Sequence, residues 1–129
     1  MPPSVHSGCG RGWVDAVIRI DAIWLAVGSS DLRGGIDRLL GQVIGRFGSA
    51  QPHHAYVFAN RRATRLKVLV FDGAGIWLCT RRLQEGRFAW PQEDQGELHL
   101  SAEQWSWLAA GLPWQRMRAH ATAGAIAVV

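Results

Sequence analysis

The chain has 129 residues, 48% of them hydrophobic and seven of them tryptophan, which suffices for one domain around one core. No apolar run approaches the roughly 20 residues of a membrane helix, and the N-terminus lacks a signal peptide's apolar stretch, so we expect a cytoplasmic protein. The formal net charge is +4, and thirteen of the fourteen basic residues are arginine, which suits phosphate or simply follows from a GC-rich genome.

The two ends of the chain differ in composition from its middle. Residues 1–16 are rich in Pro, Gly and Ser, which predicts a disordered tail or a segment upstream of the true translation start. Residues 17–114 carry the periodic patterns of a single domain. Residues 115–129 follow a Pro-Trp stop and are predicted to form a weakly ordered tail, or alternatively to add an edge strand through the apolar residues 125–129.

The domain begins with a strand and a helix. Residues 20–27 form a short apolar run, which predicts a buried strand. Apolar residues at spacings of three and four then mark one face of a helix that Gly48 closes. These residues are Leu32, Ile36, Leu39, Leu40, Val43, Ile44 and Phe47.

The start of this helix has two interpretations. Ser29 and Ser30 are candidate N-caps, and Asp31 suits a first helical turn. Gly34 and Gly35 would weaken that turn by roughly 1 kcal/mol each relative to alanine. They belong instead to the preceding loop if the backbone there approaches something closely.

Three strand candidates follow, at residues 55–59, 66–71 and 76–80. Residues 72–75, Asp-Gly-Ala-Gly, form a strong hairpin signal between the second and third. A two-residue loop of Gly73 and Ala74 places Phe71 opposite Ile76 and Arg65 opposite Arg82. One face of the hairpin is then a core face interrupted by Arg81, while the other is apolar near the turn and basic at its open end. The core face comprises Leu66, Val68, Val70, Trp77, Cys79 and Leu83.

The last element is a helix with a capping box, in which Ser101 is the N-cap and Gln104 stands three residues later. Trp105, Leu108, Ala109 and Leu112 supply its apolar stripe, and Gly111 and Pro113 mark its end. We therefore predict a single small α+β domain, with a strand and helix followed by an antiparallel β-meander and a C-terminal helix, rather than a doubly wound parallel sheet.

Basic residues are concentrated between residues 60 and 87, where seven stand against only two acidic residues. The basic residues are Arg61, Arg62, Arg65, Lys67, Arg81, Arg82 and Arg87. One interpretation is a surface that binds the phosphates of a nucleic acid. The alternative is a solvated hairpin end that pairs with the acidic residues Glu93, Asp94, Glu97 and Glu103. Phe88 and Trp90 interleave with these cations, and we expect them to be core anchors rather than base-stacking platforms.

The sequence argues against an enzyme. Asp31, Asp72 and Glu103 each have a structural explanation, which leaves too few carboxylates for a two-metal nuclease. No nucleophile elbow and no glycine-rich phosphate loop is present. His53 and His54 lie in a Pro-flanked loop without Cys or Glu nearby, so we expect a solvated loop there. We predict no catalytic residue, metal, cofactor or small-molecule substrate.

Three stretches of the sequence together resemble one protein family. They are VGSSDLRGGID at residues 27–37, RLKVLVFDG at 65–73 and RRLQEGRFAWP at 81–91. In this order they resemble the TnpB-type accessory proteins of the IS-66 family of bacterial insertion sequences, over roughly residues 18–114. The chain departs from the family where Gly34 replaces a second basic residue after Arg33.

The resemblance implies an accessory role in transposition, beside a separate transposase that carries the catalytic residues. We accordingly expect the basic residues, with Arg33 from the helix start, to bind the DNA of the element's ends. The alternative is a protein adaptor that docks on the transposase with little direct contact to DNA.

Overall fold

The computed structural model describes residues 19–91 and 97–117, which form five strands and two α-helices. In chain order these are β1 (Ala22–Ala26), α1 (Gly35–Phe47), β2 (His54–Ala59), β3 (Arg65–Phe71), β4 (Ile76–Arg82), β5 (Glu97–Leu100) and α2 (Ala102–Ala109), followed by a 3-10 helix at Trp114–Met117. The tail predicted at residues 1–16 and the apolar residues 125–129 lie outside the described residues. No helix in the described ranges is long and apolar enough to cross a membrane.

The five strands form one mixed sheet in the order β4-β3-β2-β1-β5. β1 and β2 are parallel neighbours joined through α1, and the other neighbouring pairs are antiparallel. The predicted α+β class and the meander of β2, β3 and β4 are confirmed. β1 runs parallel to β2, because the connection through α1 returns the chain in the same direction, and the sheet is therefore mixed. β5 was not predicted as a strand and pairs with the free edge of β1.

The β3–β4 hairpin has the predicted register, with Phe71 opposite Ile76 and Arg65 opposite Arg82. Asp72 holds its turn, since its carboxylate accepts hydrogen bonds from the backbone N–H groups of Ala74 and Gly75 at 2.9 and 2.7 Å. These bonds favour the ionised form and lower the pKa of Asp72.

The predicted core face of the hairpin packs on α2 and the 3-10 helix. Its buried members lie in one cluster with Trp105, Leu108 and Trp114, while Trp77 and Leu83 are partly buried against that cluster. Trp77 is therefore on the expected face but not fully enclosed. The opposite face of the sheet forms a second cluster, in which Leu39 and Val43 of α1 are fully buried.

The start of α1 corrects the capping prediction. The N-cap is Gly34, with φ 94° and no side-chain cap, so Ser29 and Ser30 are not caps. Gly34 ends the preceding loop, as the second interpretation held, whereas Gly35 is the first residue of α1. A φ of 94° is a left-handed conformation that glycine adopts readily, which explains why glycine stands there.

The capping box of α2 is confirmed, with Ser101 Oγ accepting from the N–H of Gln104 and the Gln104 side chain accepting from the N–H of Ser101. The helix ends at Ala109, so Leu112 lies beyond it and is 45% exposed rather than part of an apolar stripe. Trp114 then returns to the core and donates its indole N–H to the carbonyl of Ala89 at 2.5 Å.

Candidate nucleic-acid interface

Three loops meet at one end of the sheet, where β1, β2 and β4 end and β3 begins. The N–H of Ser30 donates to the carbonyl of Ala59 at 2.8 Å, which joins the loop after β1 to the end of β2. The N–H of Phe88 donates to the carbonyl of Ala63 at 2.7 Å, which joins the loop after β4 to the β2–β3 turn. Residues far apart in sequence therefore share one surface.

The β2–β3 turn is held from inside by Asn60. Its side-chain oxygen accepts hydrogen bonds from the N–H groups of Thr64 and Arg65, at 2.9 and 3.1 Å. Ala63 adopts a φ of 57° and is buried beneath the turn. Arg61 and Arg62 are exposed at the tip of this ordered turn, so the turn presents both guanidinium groups to solvent.

Five arginines form what we call the basic surface: Arg61, Arg62, Arg65, Arg82 and Arg87. All five are exposed. Across residues 19–91 and 97–117, none of the five forms an ion pair with a carboxylate. Arg65 lies directly opposite Arg82 in the hairpin, and like charges in that relation repel each other. An array of this kind is stabilised by an external anion.

Two predicted binding residues lie elsewhere. Arg81 faces the opposite side of the sheet from Arg82, and its Nε–H donates to the carbonyl of Ala109 at 2.6 Å. Lys67 is half-buried, and its ammonium group donates to the carbonyl of Leu32 at 3.0 Å. Arg81 is bonded to a carbonyl at the end of α2 and Lys67 to a carbonyl in the loop before α1, so we leave both out of the basic surface.

Arg33 is exposed beside the same end of the sheet but is already paired. Its Nε and Nη2 atoms donate to the two carboxylate oxygens of Asp31 at 2.9 and 3.1 Å. Arg38 of α1 also approaches Asp31, at 3.3 Å. These arginines, led by Arg33, hold the pKa of Asp31 well below its usual range, and Asp31 raises the pKa of Arg33. Arg38 was not predicted, because its contact with Asp31 depends on how the loop folds back.

Within residues 19–91 and 97–117, the basic surface forms no ion pair with the acidic residues of the alternative interpretation. Glu97 lies on β5 and Glu103 on α2, while β4 forms the opposite edge of the sheet from β5. Glu93 and Asp94 lie outside the described residues. Phe88 and Trp90 are 3% and 6% exposed, which confirms that they are core anchors and leaves no ring face for a base.

A second site, which sequence reasoning missed, lies on the α1 side of the sheet. Trp24, Arg46, Gln51, His54 and Glu97 line a cavity of about 270 Å³, together with Phe47, Ser49 and Tyr56. The indole N–H of Trp24 donates to Nδ1 of His54 at 3.1 Å. The expectation of a solvated loop at His54 was wrong, because His54 is the first residue of β2 and is half-buried.

The chain resembles other proteins over most of its length. A family model described as IS66 Orf2-like protein matches residues 21–119. The Sinorhizobium fredii protein y4jC is 36% identical over 98 residues, which cover 74% of this chain and 83% of that protein. A second protein of the same organism, y4hO, is 35% identical over 94 residues, covering 72% of this chain and 82% of its own length. No solved structure matches the chain.

Proposed function

The chain belongs to the family of IS66 Orf2-like proteins of insertion sequences, and from this premise we propose that it is a non-enzymatic accessory protein of transposition. It acts in the cytoplasm beside a separate transposase, and it binds the DNA of the element's ends through the basic surface. The carboxylates examined serve structural purposes, since Asp31 pairs with Arg33 and Arg38 and Asp72 holds the β3–β4 turn.

The observation that carries the proposal is the absence of compensating charge at the basic surface. The five exposed arginines come from two chain segments, residues 61–65 and 82–87, and no carboxylate in the described ranges pairs with them. Arginine forks match phosphate oxygens, and phosphate contacts dominate the affinity of proteins for DNA. The ordered Asn60 turn lets Arg61 and Arg62 approach a backbone without first ordering the loop.

The test is a fluorescence-anisotropy titration of labelled duplex DNA from the element's ends at several salt concentrations. If five arginines each replace one counterion, the logarithm of the association constant falls against the logarithm of salt concentration with a slope of about −4.5. Absence of duplex binding at low salt would contradict the proposal.

A protein adaptor is the second candidate function, and an apolar groove favours it. Leu40 and Ile44 of α1 line a cavity of about 350 Å³ with Phe71 and Ile76 of the hairpin. Ile44 is 50% exposed and Ile36 of the same helix is 36% exposed. Exposed apolar side chains beside a groove are typical of protein-docking surfaces. Binding to the purified transposase that Ile44→Asp abolishes, without measurable DNA binding by the wild type, would favour the adaptor.

A further inference from the structure

A row of aromatic rings crosses the sheet beside the 270 Å³ cavity. His99 of β5 lies directly opposite Trp24 of β1, with ring centroids 4.7 Å apart and planes inclined by 24°. His54 of β2 continues the row at 6.3 Å from Trp24. Phe47 of α1 stands at 59° to Trp24, with its centroid 6.1 Å away. His99 covers one face of Trp24 and does not line the cavity, whereas Trp24, Phe47, His54 and Tyr56 do, so the lining includes four ring side chains.

The cavity is balanced in charge. Its lining includes one cation, Arg46, and one anion, Glu97. Burial lowers the pKa of both His54 and His99, which favours their neutral forms. A phosphate or an ammonium group would leave one of the two lining charges uncompensated. The occupant that suits the cavity is therefore a group without net charge.

Hydrogen-bond donors and acceptors both lie beside the rings. Arg46 donates one N–H to the carbonyl of Val27 at 3.0 Å, and its other N–H groups remain as donors. Glu97 supplies an acceptor. The hydroxyl of Tyr56 is already used, since it accepts from the N–H of Gln51 and lies 3.5 Å from the carbonyl of Ser49. A planar, neutral group with donors and acceptors on its edge matches this lining, and an unpaired nucleobase is such a group.

The cavity reaches the end of the sheet that carries the basic surface through Glu97 and Arg46, whereas His54, the first residue of β2, lies at its other end. Glu97 pairs with Ala26, the last residue of β1, and Arg46 bonds to the next carbonyl along the chain. Three strand spacings, about 14 Å, separate β5 from β3, whose first residue is Arg65. That distance corresponds to about four nucleotides of a duplex strand.

We infer that this cavity binds a single unpaired nucleobase of the DNA whose phosphates lie on the basic surface. The inference rests on the proposed function, because it assumes that the basic surface binds DNA. Binding of a base by the cavity can nevertheless be measured independently of the basic surface. The rings supply stacking, while Arg46 and Glu97 read the edge of the base.

The first experiment measures binding of the four free deoxynucleosides by saturation-transfer NMR. At least one is expected to bind at millimolar concentration, and Glu97→Gln should weaken it at least fivefold, because the charged acceptor is lost at constant side-chain size. Glu103→Gln, an exposed substitution on α2, is the matched control and should change nothing. Circular dichroism verifies that both variants fold.

The second experiment compares a perfect duplex with the same duplex containing one unpaired base. The wild type should bind the latter roughly tenfold more tightly, about 1.4 kcal/mol, and Glu97→Gln should remove this preference while binding the perfect duplex like the wild type.

Failure of the two proposals can be distinguished. Deoxynucleoside binding that Glu97→Gln weakens, with no duplex binding, would support the base site and contradict DNA binding by the basic surface. No deoxynucleoside binding and no preference for the unpaired base would overturn the inference. Loss of transposase binding in Glu97→Gln without any deoxynucleoside binding would also overturn it, by making the cavity a protein site.

Discussion

Arg81 of β4 donates its Nε–H to the carbonyl of Ala109, the last residue of α2, at 2.6 Å. α2 has no basic residue of its own in its last turn. A cation at the C-terminus of a helix binds its free carbonyls and interacts favourably with the helix dipole. Arg82, the next residue, lies on the opposite side of the strand and belongs to the basic surface. Of these adjacent arginines, Arg81 therefore contacts the end of α2, whereas Arg82 is exposed on the other side of the sheet.

Substituting the two neighbours should separate stability from DNA binding. Arg81→Gln is expected to lower the free energy of unfolding by about 2 kcal/mol, because a half-buried charged hydrogen bond is lost, and to leave the salt slope unchanged. Arg82→Gln should flatten the slope by about 0.9 and change stability by less than about 0.5 kcal/mol. Urea unfolding and anisotropy titrations measure the two quantities. A flatter salt slope in Arg81→Gln, with an unchanged slope in Arg82→Gln, would instead place Arg81 at the DNA.

The double substitution Arg61→Ala and Arg62→Ala tests the tip of the β2–β3 turn. Removing two phosphate contacts should flatten the salt slope by roughly two units, and the fold should remain intact because exposed charges at a loop end contribute little stability. Circular dichroism is the folding control. An unchanged slope in the folded variant would exclude this turn from the interface.

Asp31→Asn should strengthen DNA binding. The carboxylate occupies the guanidinium of Arg33 and lies 3.3 Å from Arg38, so its neutralisation releases both cations. We expect tighter binding at low salt and a slope steeper by up to about two units. Asp37→Asn removes an exposed charge from the first turn of α1 and serves as the control. Equal effects of the two substitutions would indicate general electrostatics instead of released arginines.

Acid should destabilise the protein through His54. Burial lowers its pKa from 6.5 in the folded state, and Nδ1 accepts the hydrogen bond of Trp24, so protonation opposes folding. The contribution of the neutral imidazole is complete above about pH 6.5 and is lost as the pH falls through the folded-state pKa. Urea unfolding should therefore show lower stability at pH 5 than at pH 7.5. His54→Gln retains a hydrogen-bond acceptor that does not titrate, so the loss of stability between pH 7.5 and pH 5 should be smaller in this variant. A loss as large as that of the wild type would mean that other groups cause it.

The capping box of α2 offers a test of the fold itself. Ser101→Ala removes the acceptor for the N–H of Gln104 and should cost about 1 kcal/mol. Ser106→Ala, in the same helix, removes a hydroxyl that bonds an exposed carbonyl and should cost less. Thermal unfolding of the two variants measures the difference. Equal losses would mean that the Ser101 bond adds nothing beyond a surface contact.

Local patterns predicted the parts of the fold that local interactions determine. The Asp72 turn fixes the register of the hairpin, and the Ser101 box fixes the start of α2, because each is complete within four residues. β5 could not be predicted, since its four residues become a strand only through pairing with β1. The start of α1 was misassigned because serine is a common cap, whereas the φ of 94° at position 34 favours glycine.

The candidate site was predictable in composition but not in geometry. The density of arginine indicated a basic surface, and Arg61 and Arg62 lie at the turn tip as expected. Sequence alone does not show that Arg81 and Lys67 reach carbonyls of distant segments. The aromatic cavity combines residues from β1, α1, β2 and β5, and no short stretch of sequence contains its pattern.

The central position of β1 has a consequence for the order of assembly. The hairpin and its neighbour β2 use contacts close in sequence, so they can form early. β1 was made before them but is enclosed only when β5, more than seventy residues later, pairs with its other edge. Until then, β1 presents open backbone groups to which another chain could add a strand. β5, short and carrying Glu97 and His99, then becomes the outer strand, so we expect the last strand of the sheet to be synthesised also to limit aggregation of the nascent protein.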